Sequence, residues 1–202
     1  MRVIETKAYT FDELSEQAKE KAIEKQKQSD GYLDYEWYDC VKYEFEEKAK
    51  ESGFNYTKSY FSGFWSQGDG AMFEYDHLDD KLRLEFINQL NLSPMRKDWL
   101  INNTCISGKG RQSGHYYHEN SCSHSIYWEV DNGDLHWDRT FYKWLESFFE
   151  EFEDFIIDKY KDLCCEYYKS LEKEYDWLMS DEQIAEHLIA NEYEFNEEGI
   201  MI

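Results

Sequence analysis

FYKWLESFFEEFEDFIIDKYKDLCCEYYKSLEKEYDWL, residues 141–178, decides the fold class. Phe141, Trp144, Leu145, Phe148, Phe152, Phe155, Ile156, Tyr160, Leu163, Tyr167, Leu171, Tyr175 and Leu178 recur at three- and four-residue spacing. That is the period of one long helix with a single buried face. The opposite face carries Glu146, Glu150, Asp154, Asp158, Asp162 and Glu166, a carboxylate at every fourth position. With a rise of about 1.5 Å per residue, successive charges stand roughly 6 Å apart. Like charges at this spacing cost a few tenths of a kcal/mol each, so folding alone gives no reason to accumulate them. They form either a solvated face or a surface that imitates a nucleic-acid backbone and meets a basic partner.

The rest of the composition bounds those choices. The chain has 202 residues and a formal net charge of −22. Such a charge repels phosphates, which excludes direct nucleic-acid binding and anionic membrane surfaces but permits basic proteins and cations. Residues 53–130 hold nine acids and seven bases, whereas residues 137–202 hold nineteen acids and six bases, a net of −13. Aromatic residues make up 18% of the chain, far too many for a disordered acidic tail, so a core is expected. Cys40, Cys105, Cys122, Cys164 and Cys165 are odd in number and contain no CxxC pair, which fits a reducing compartment. The N-terminus has no apolar signal-peptide core, and no stretch approaches the roughly 20 apolar residues of a membrane span. The expectation is a cytoplasmic protein without a membrane partner.

Outward from the long helix (about 138–178) the pattern predicts a strand over 2–10 and helices over 12–28 and 35–51. Strands over 54–66 and 71–77 follow, joined by the turn residues Gln67-Gly68-Asp69-Gly70. A short helix over 79–91 precedes two strands, 99–108 and 113–130, around a Gly108-Lys109-Gly110-Arg111 turn, with Asn132-Gly133-Asp134 closing the sheet-rich centre. A helix over 181–190 capped by Ser180 and a closing strand in 191–202 complete the chain. The order predicts a single α+β domain over 1–202, a mostly antiparallel sheet packed on helices.

Two segments concentrate polar and aromatic chemistry. In Ser62–Gly70, Trp65, Gln67 and Asp69 could stack a ring and hydrogen-bond its edge, although an ordinary hairpin turn has the same composition. It is not a phosphate-binding loop, for GxxxxGK(S/T) is absent. In Ser113–His124, His118, Cys122 and His124 share strand parity while His115 points the other way. Zinc sites favour tighter pairs, so no metal and no cofactor is expected. No GxSxG elbow occurs, and Cys122 lies near histidines only in sequence, which disfavours nucleophilic catalysis. Of Cys164 and Cys165, neighbours on the long helix, one is expected in the core.

The stretch YFSGFWSQGDGAMFEYD (Tyr60–Asp76) resembles a recurring motif of small acidic proteins encoded by bacteriophages. KAYTFDELSEQAKEKAIEK (7–25), SGHYYHENSCSHSIYWEV (113–130) and NEYEFNEEGIMI (191–202) are similar to their opening, second motif and ending. Some of these proteins carry the label of antitoxins of toxin–antitoxin systems. The family usually has a small residue where this chain has Met72, and often Met where it has Cys122, which weakens Cys122 as a ligand or nucleophile. The resemblance implies a host-takeover or anti-defence protein and supplies no catalytic residues. Two functions are therefore expected, binding rather than catalysis in the first. One is stoichiometric binding of a basic, nucleic-acid-binding host protein through Glu146, Glu150, Asp154, Asp158 and Asp162. The other is a small-molecule or nucleotide site, or an enzyme, built on Trp65, Gln67, Asp69, Tyr117 and His118.

Overall fold

The computed structural model describes residues 7–29, 31–33, 36–131 and 139–202. The chain divides into two compact units, Met1–Asp39 with Leu171–Ile202, and Cys40–Ser170. The fold is α+β, with one antiparallel sheet of four strands and a pair of short strands.

In the larger unit, β2 (Phe54–Phe61), β3 (Ala71–Leu78), β4 (Thr104–Gln112) and β5 (Cys122–Val130) pair in the order β2-β3-β4-β5. One face of this sheet is covered by α2 (Asp39–Glu51), by α3 (Asp80–Gln89) and by α5 (Arg139–Leu178), the predicted long helix. Leu145, Phe148, Phe152, Ile156, Tyr160, Leu163, Tyr167 and Leu171 of its apolar stripe are all buried. Phe73 of β3 stacks on Tyr160, Trp128 of β5 meets Phe152 edge-on, and Phe45 of α2 stacks on Tyr167, with ring centroids 4.6, 4.6 and 4.2 Å apart. The other sheet face is wet: Cys105, Ser107, Lys109 and Arg111 of β4 and Ser123, Tyr127 and Glu129 of β5 are exposed. A one-sided antiparallel sheet is the arrangement that strict alternation encodes.

Several expectations in this unit need correction, and the strand expected over 54–66 ends at Phe61. Residues 99–103 do not begin a strand; they end α4 (Pro94–Asn103), which Ser93 precedes and Pro94 opens. Proline at the first helical position is pre-organised for a helix start, a signal that outweighs the β-formers downstream. Gly108-Lys109-Gly110-Arg111 is not a turn but the middle of β4. A Cβ on Gly108 would come within 2.6 Å of Leu78 Cδ1, and one on Gly110 within 2.9 Å of Cys122 Sγ, so both glycines make room for large neighbours on the buried face. Residues 113–121 form a loop and a 3-10 turn (Glu119–Ser121), and the strand begins only at Cys122.

In the smaller unit, the helical run expected over 12–28 splits. Phe11–Glu13 forms one 3-10 turn, and α1 (Glu16–Lys27) starts at Ser15, whose Oγ accepts from Ala18 N at 3.3 Å. Ser180 caps α6 (Asp181–Ala190) as expected. β1 (Tyr9–Thr10) pairs antiparallel with β6 (Glu194–Phe195), and Phe11, Leu14, Ala18, Ala22, Ile184, Leu188 and Phe195 form the core. Residues 2–6 of the expected first strand and the 132–134 turn lie outside the described residues.

Arg83 is the one buried cation among the described residues. Its Nε and Nη2 donate to both carboxylate oxygens of Asp80 at 2.6 and 2.9 Å. Its Nη1 donates to Leu100 O, Ile101 O and Thr104 Oγ1 at 2.9, 3.1 and 3.2 Å, tying off the end of α4. Arg83→Met keeps the bulk but strands these acceptors. Chemical unfolding should show a loss of about 2–4 kcal/mol; a change under about 0.5 kcal/mol would mean that water replaces the guanidinium freely.

Candidate functional site

The outer face of α5 presents Glu146, Glu150, Asp154, Asp158 and Asp162, all exposed. A four-residue step advances about 40° around a helix, so the row runs as a slanted ridge rather than parallel to the axis. Glu151, also exposed, adds a charge to this face that the four-residue pattern did not include. Six carboxylates over about 24 Å of axis stand on average about 5 Å apart, against about 3.4 Å between charges along one strand of B-DNA. From Trp144 to Asp158 the helix contains no Lys or Arg.

Several other acids of this unit are paired. Glu85 pairs with Lys159, Asp80 with Arg83, Asp76 with Arg111, and Glu166 with Lys48 at 2.5 Å. Glu166, the last member of the sequence pattern, is thus neutralised within the fold. Among the described residues none of the other five forms an ion pair.

The two polar-aromatic segments do come together. In a β2-β3-β4-β5 meander, the β2–β3 and β4–β5 connections emerge at the same end of the sheet. Tyr60 stacks on Tyr117 with centroids 4.9 Å apart and 13° between planes. Gly70 lies against His118, for a Cβ there would stand 2.9 Å from His118 Cδ2, and Gly68 lies under Tyr116. Several of the expected ligand-binding atoms serve the turns themselves. Asp69 Oδ2 accepts from Ser66 N at 2.6 Å, and His118 Nδ1 accepts from Asn120 N at 3.3 Å to cap the 3-10 turn. Gln67 is exposed. Trp65 is 73% exposed and holds φ at +70°, a left-handed conformation uncommon for a bulky residue.

His124 and Cys122 share a face, and that face is the covered one, while His118 is not on the strand. Tyr75 and Tyr160, which no local pattern links to them, complete the cluster. Tyr75 OH and His124 Nδ1 are hydrogen-bonded at 2.9 Å. The His124 ring meets Tyr160 edge-on at 4.6 Å. Burial first, and the nearby Lys161 charge second, lower the His124 pKa to about 4. Burial pushes the Cys122 thiol up to about 11 and the Cys164 thiol upward as well. Both stay protonated at neutral pH and are poor nucleophiles. Cys164 is buried and Cys165 exposed, the division expected on the helix. Among the described residues, no three His, Cys, Asp or Glu side chains are grouped to hold a metal ion.

The His124 shift gives stability a pH dependence with a definite sign. Unfolded, the imidazole titrates near 6.5; folded, near 4. The unfolded chain binds more protons between those values, so the His124 contribution is complete above about pH 6.5 and is lost as pH falls toward 4. Urea unfolding of wild type and His124→Gln between pH 7.5 and 4.5 should show the steeper decline in wild type. Parallel declines would mean that His124 is not desolvated.

Among the described residues no helix is long and apolar enough to cross a membrane. No curated protein and no solved structure matches the chain. A family model described as a domain of unknown function, DUF8835, matches residues 37–181, a stretch that contains the whole of the larger unit. The chain belongs to the DUF8835 family.

Proposed function

We propose that the protein acts by stoichiometric binding of a basic, nucleic-acid-binding partner, with the outer face of α5 standing in for a nucleic-acid backbone. One observation carries this reading: Glu146, Glu150, Asp154, Asp158 and Asp162 are exposed, follow one another along a single helix face and are without a counter-ion among the described residues. A solvated face would serve solubility equally well with the same charges scattered and paired. A continuous ridge of unpaired carboxylates offers a cationic groove a row of negative charge like the one it already recognises. Charge complementarity of this kind speeds encounter and sets specificity more than it adds raw affinity. The buried cluster around Tyr160 supports binding over catalysis, since its thiols are protonated and its imidazole is held neutral. The likeness to phage-encoded acidic proteins makes a bacterial host factor the natural partner class, met in the host cytoplasm.

A second reading rests on the sheet end, where exposed Trp65 and Tyr116 stand on adjoining loops. There the ligand would be a flat ring taken up by stacking.

Pull-down from bacterial lysate separates the two readings. Wild type and Trp65→Ala should retain a basic protein that Glu150→Lys/Asp154→Lys/Asp158→Lys loses by about tenfold or more. Retention should fall between 0.1 and 1 M salt, as the Debye length shrinks from about 10 Å to about 3 Å. If the triple variant retains the partner fully and Trp65→Ala does not, the sheet end is the binding surface.

A further inference from the structure

The smaller unit contains a cavity of about 460 Å³ that shares no residue with the carboxylate row or the two loops. That volume is within the usual range of small-molecule sites, roughly 300–1,000 Å³. α6 sends Ile184 and Leu188 into the core and turns Gln183, Glu186 and His187 toward the cavity. The end of α5 contributes Glu174, and the segment after α1 contributes Tyr32 and Trp37. Tyr32 is fixed at both ends: its OH donates to Leu178 O at 2.6 Å, and its ring meets His187 edge-on at 5.1 Å. Trp37 packs edge-on against Tyr175 at 5.8 Å.

Among the described residues, Glu174 and Glu186 line the cavity from two different helices, and no Lys or Arg does. Among the described residues neither carboxylate has an ion-pair partner; Glu186 accepts only from Gln183 Nε2 at 3.3 Å. Lys27, the base that reaches α6, is taken by Asp181 at 2.6 Å. The cavity also adjoins Leu178 and Asn191, at the C-terminal ends of α5 and α6, the negative ends of the two helix dipoles. Residues 171–202 hold ten acids and one base, so nothing in this segment compensates. Among the described residues Glu174, Glu186 and His187 are not grouped so as to hold a metal ion. Aromatic rings beside carboxylates instead suit an organic cation, which takes charge from one and cation–π contact from the other.

We propose that this cavity binds an aliphatic diamine or polyamine, its ammonium groups paired with Glu174 and Glu186 and its methylene chain against Trp37 and Tyr32. The assignment is independent of the function proposed for α5. Calorimetry with putrescine tests it on the full chain in about 0.15 M salt, where diffuse attraction is screened beyond about 8 Å. Wild type should bind one equivalent saturably. Glu174→Gln/Glu186→Gln should weaken binding about tenfold or more, and Trp37→Leu severalfold. Glu150→Gln/Asp154→Asn, which removes the same charge from the α5 row, should leave binding within about twofold of wild type. Nα-acetyl-lysine methylamide, with one ammonium, should bind about tenfold more weakly than putrescine. Because the Glu→Gln pair changes neither size nor burial, unfolding does not mimic its effect, and equal melting temperatures of the free variants verify this. Absence of saturable binding, equal weakening by the α5 control pair, or equal affinity for the lysine derivative overturns the proposal.

Discussion

The larger unit turns on the hydroxyl of Tyr160. This residue is fully buried, and its OH accepts from Phe73 N at 3.2 Å and donates to Phe73 O at 2.8 Å. A buried phenol must be satisfied, and an unpaired one costs about 1–3 kcal/mol. Only one rotation and one axial position of α5 satisfy this phenol from the backbone of a strand inside the sheet. The stacking of Phe73 on Tyr160 and the contact of Trp128 with Phe152 reinforce the same placement. Burial also holds the phenol strongly toward its protonated form, so the bond persists over any working pH.

Once α5 is fixed in this way, its two faces have separate tasks. The stripe from Leu145 to Leu171 supplies the larger unit with much of its core. The face opposite is left with residues that no packing selects, and there the carboxylates accumulate. The fold pairs Glu85, Asp80, Asp76 and Glu166 with bases, whereas the five carboxylates of the row have no ion pair among the described residues. The proposed binding role gives those charges the purpose that packing does not.

How much of this is readable beforehand depends on how local each signal is. The α5 stripe, the Ser180 cap and the hairpin around Gly68 are set by residues within one or two turns of each other, and periodicity exposes them. The same holds for the adjacency of the Trp65 and Tyr117 segments, which follows once four strands form a meander. Gly108 and Gly110 mislead because glycine marks turns more often than it marks strands crowded by a Leu78 or a Tyr75 from the next strand. The Tyr75–His124–Tyr160 cluster joins residues 36 or more positions apart, and no spacing rule reaches that far. The cavity of the smaller unit escapes for the same reason: Trp37 and Glu174 belong to distant segments that only the fold brings together.

The central claim is that α5 holds the fold together with one face only and that its outer carboxylates take no part. Chemical unfolding of Glu150→Gln/Asp154→Asn/Asp158→Asn tests it without changing side-chain size. Relief of like-charge repulsion should leave stability unchanged or raise it by a few tenths of a kcal/mol. A loss of more than about 1 kcal/mol would show that the row belongs to the structure, contradicting its assignment as a surface held free for a partner.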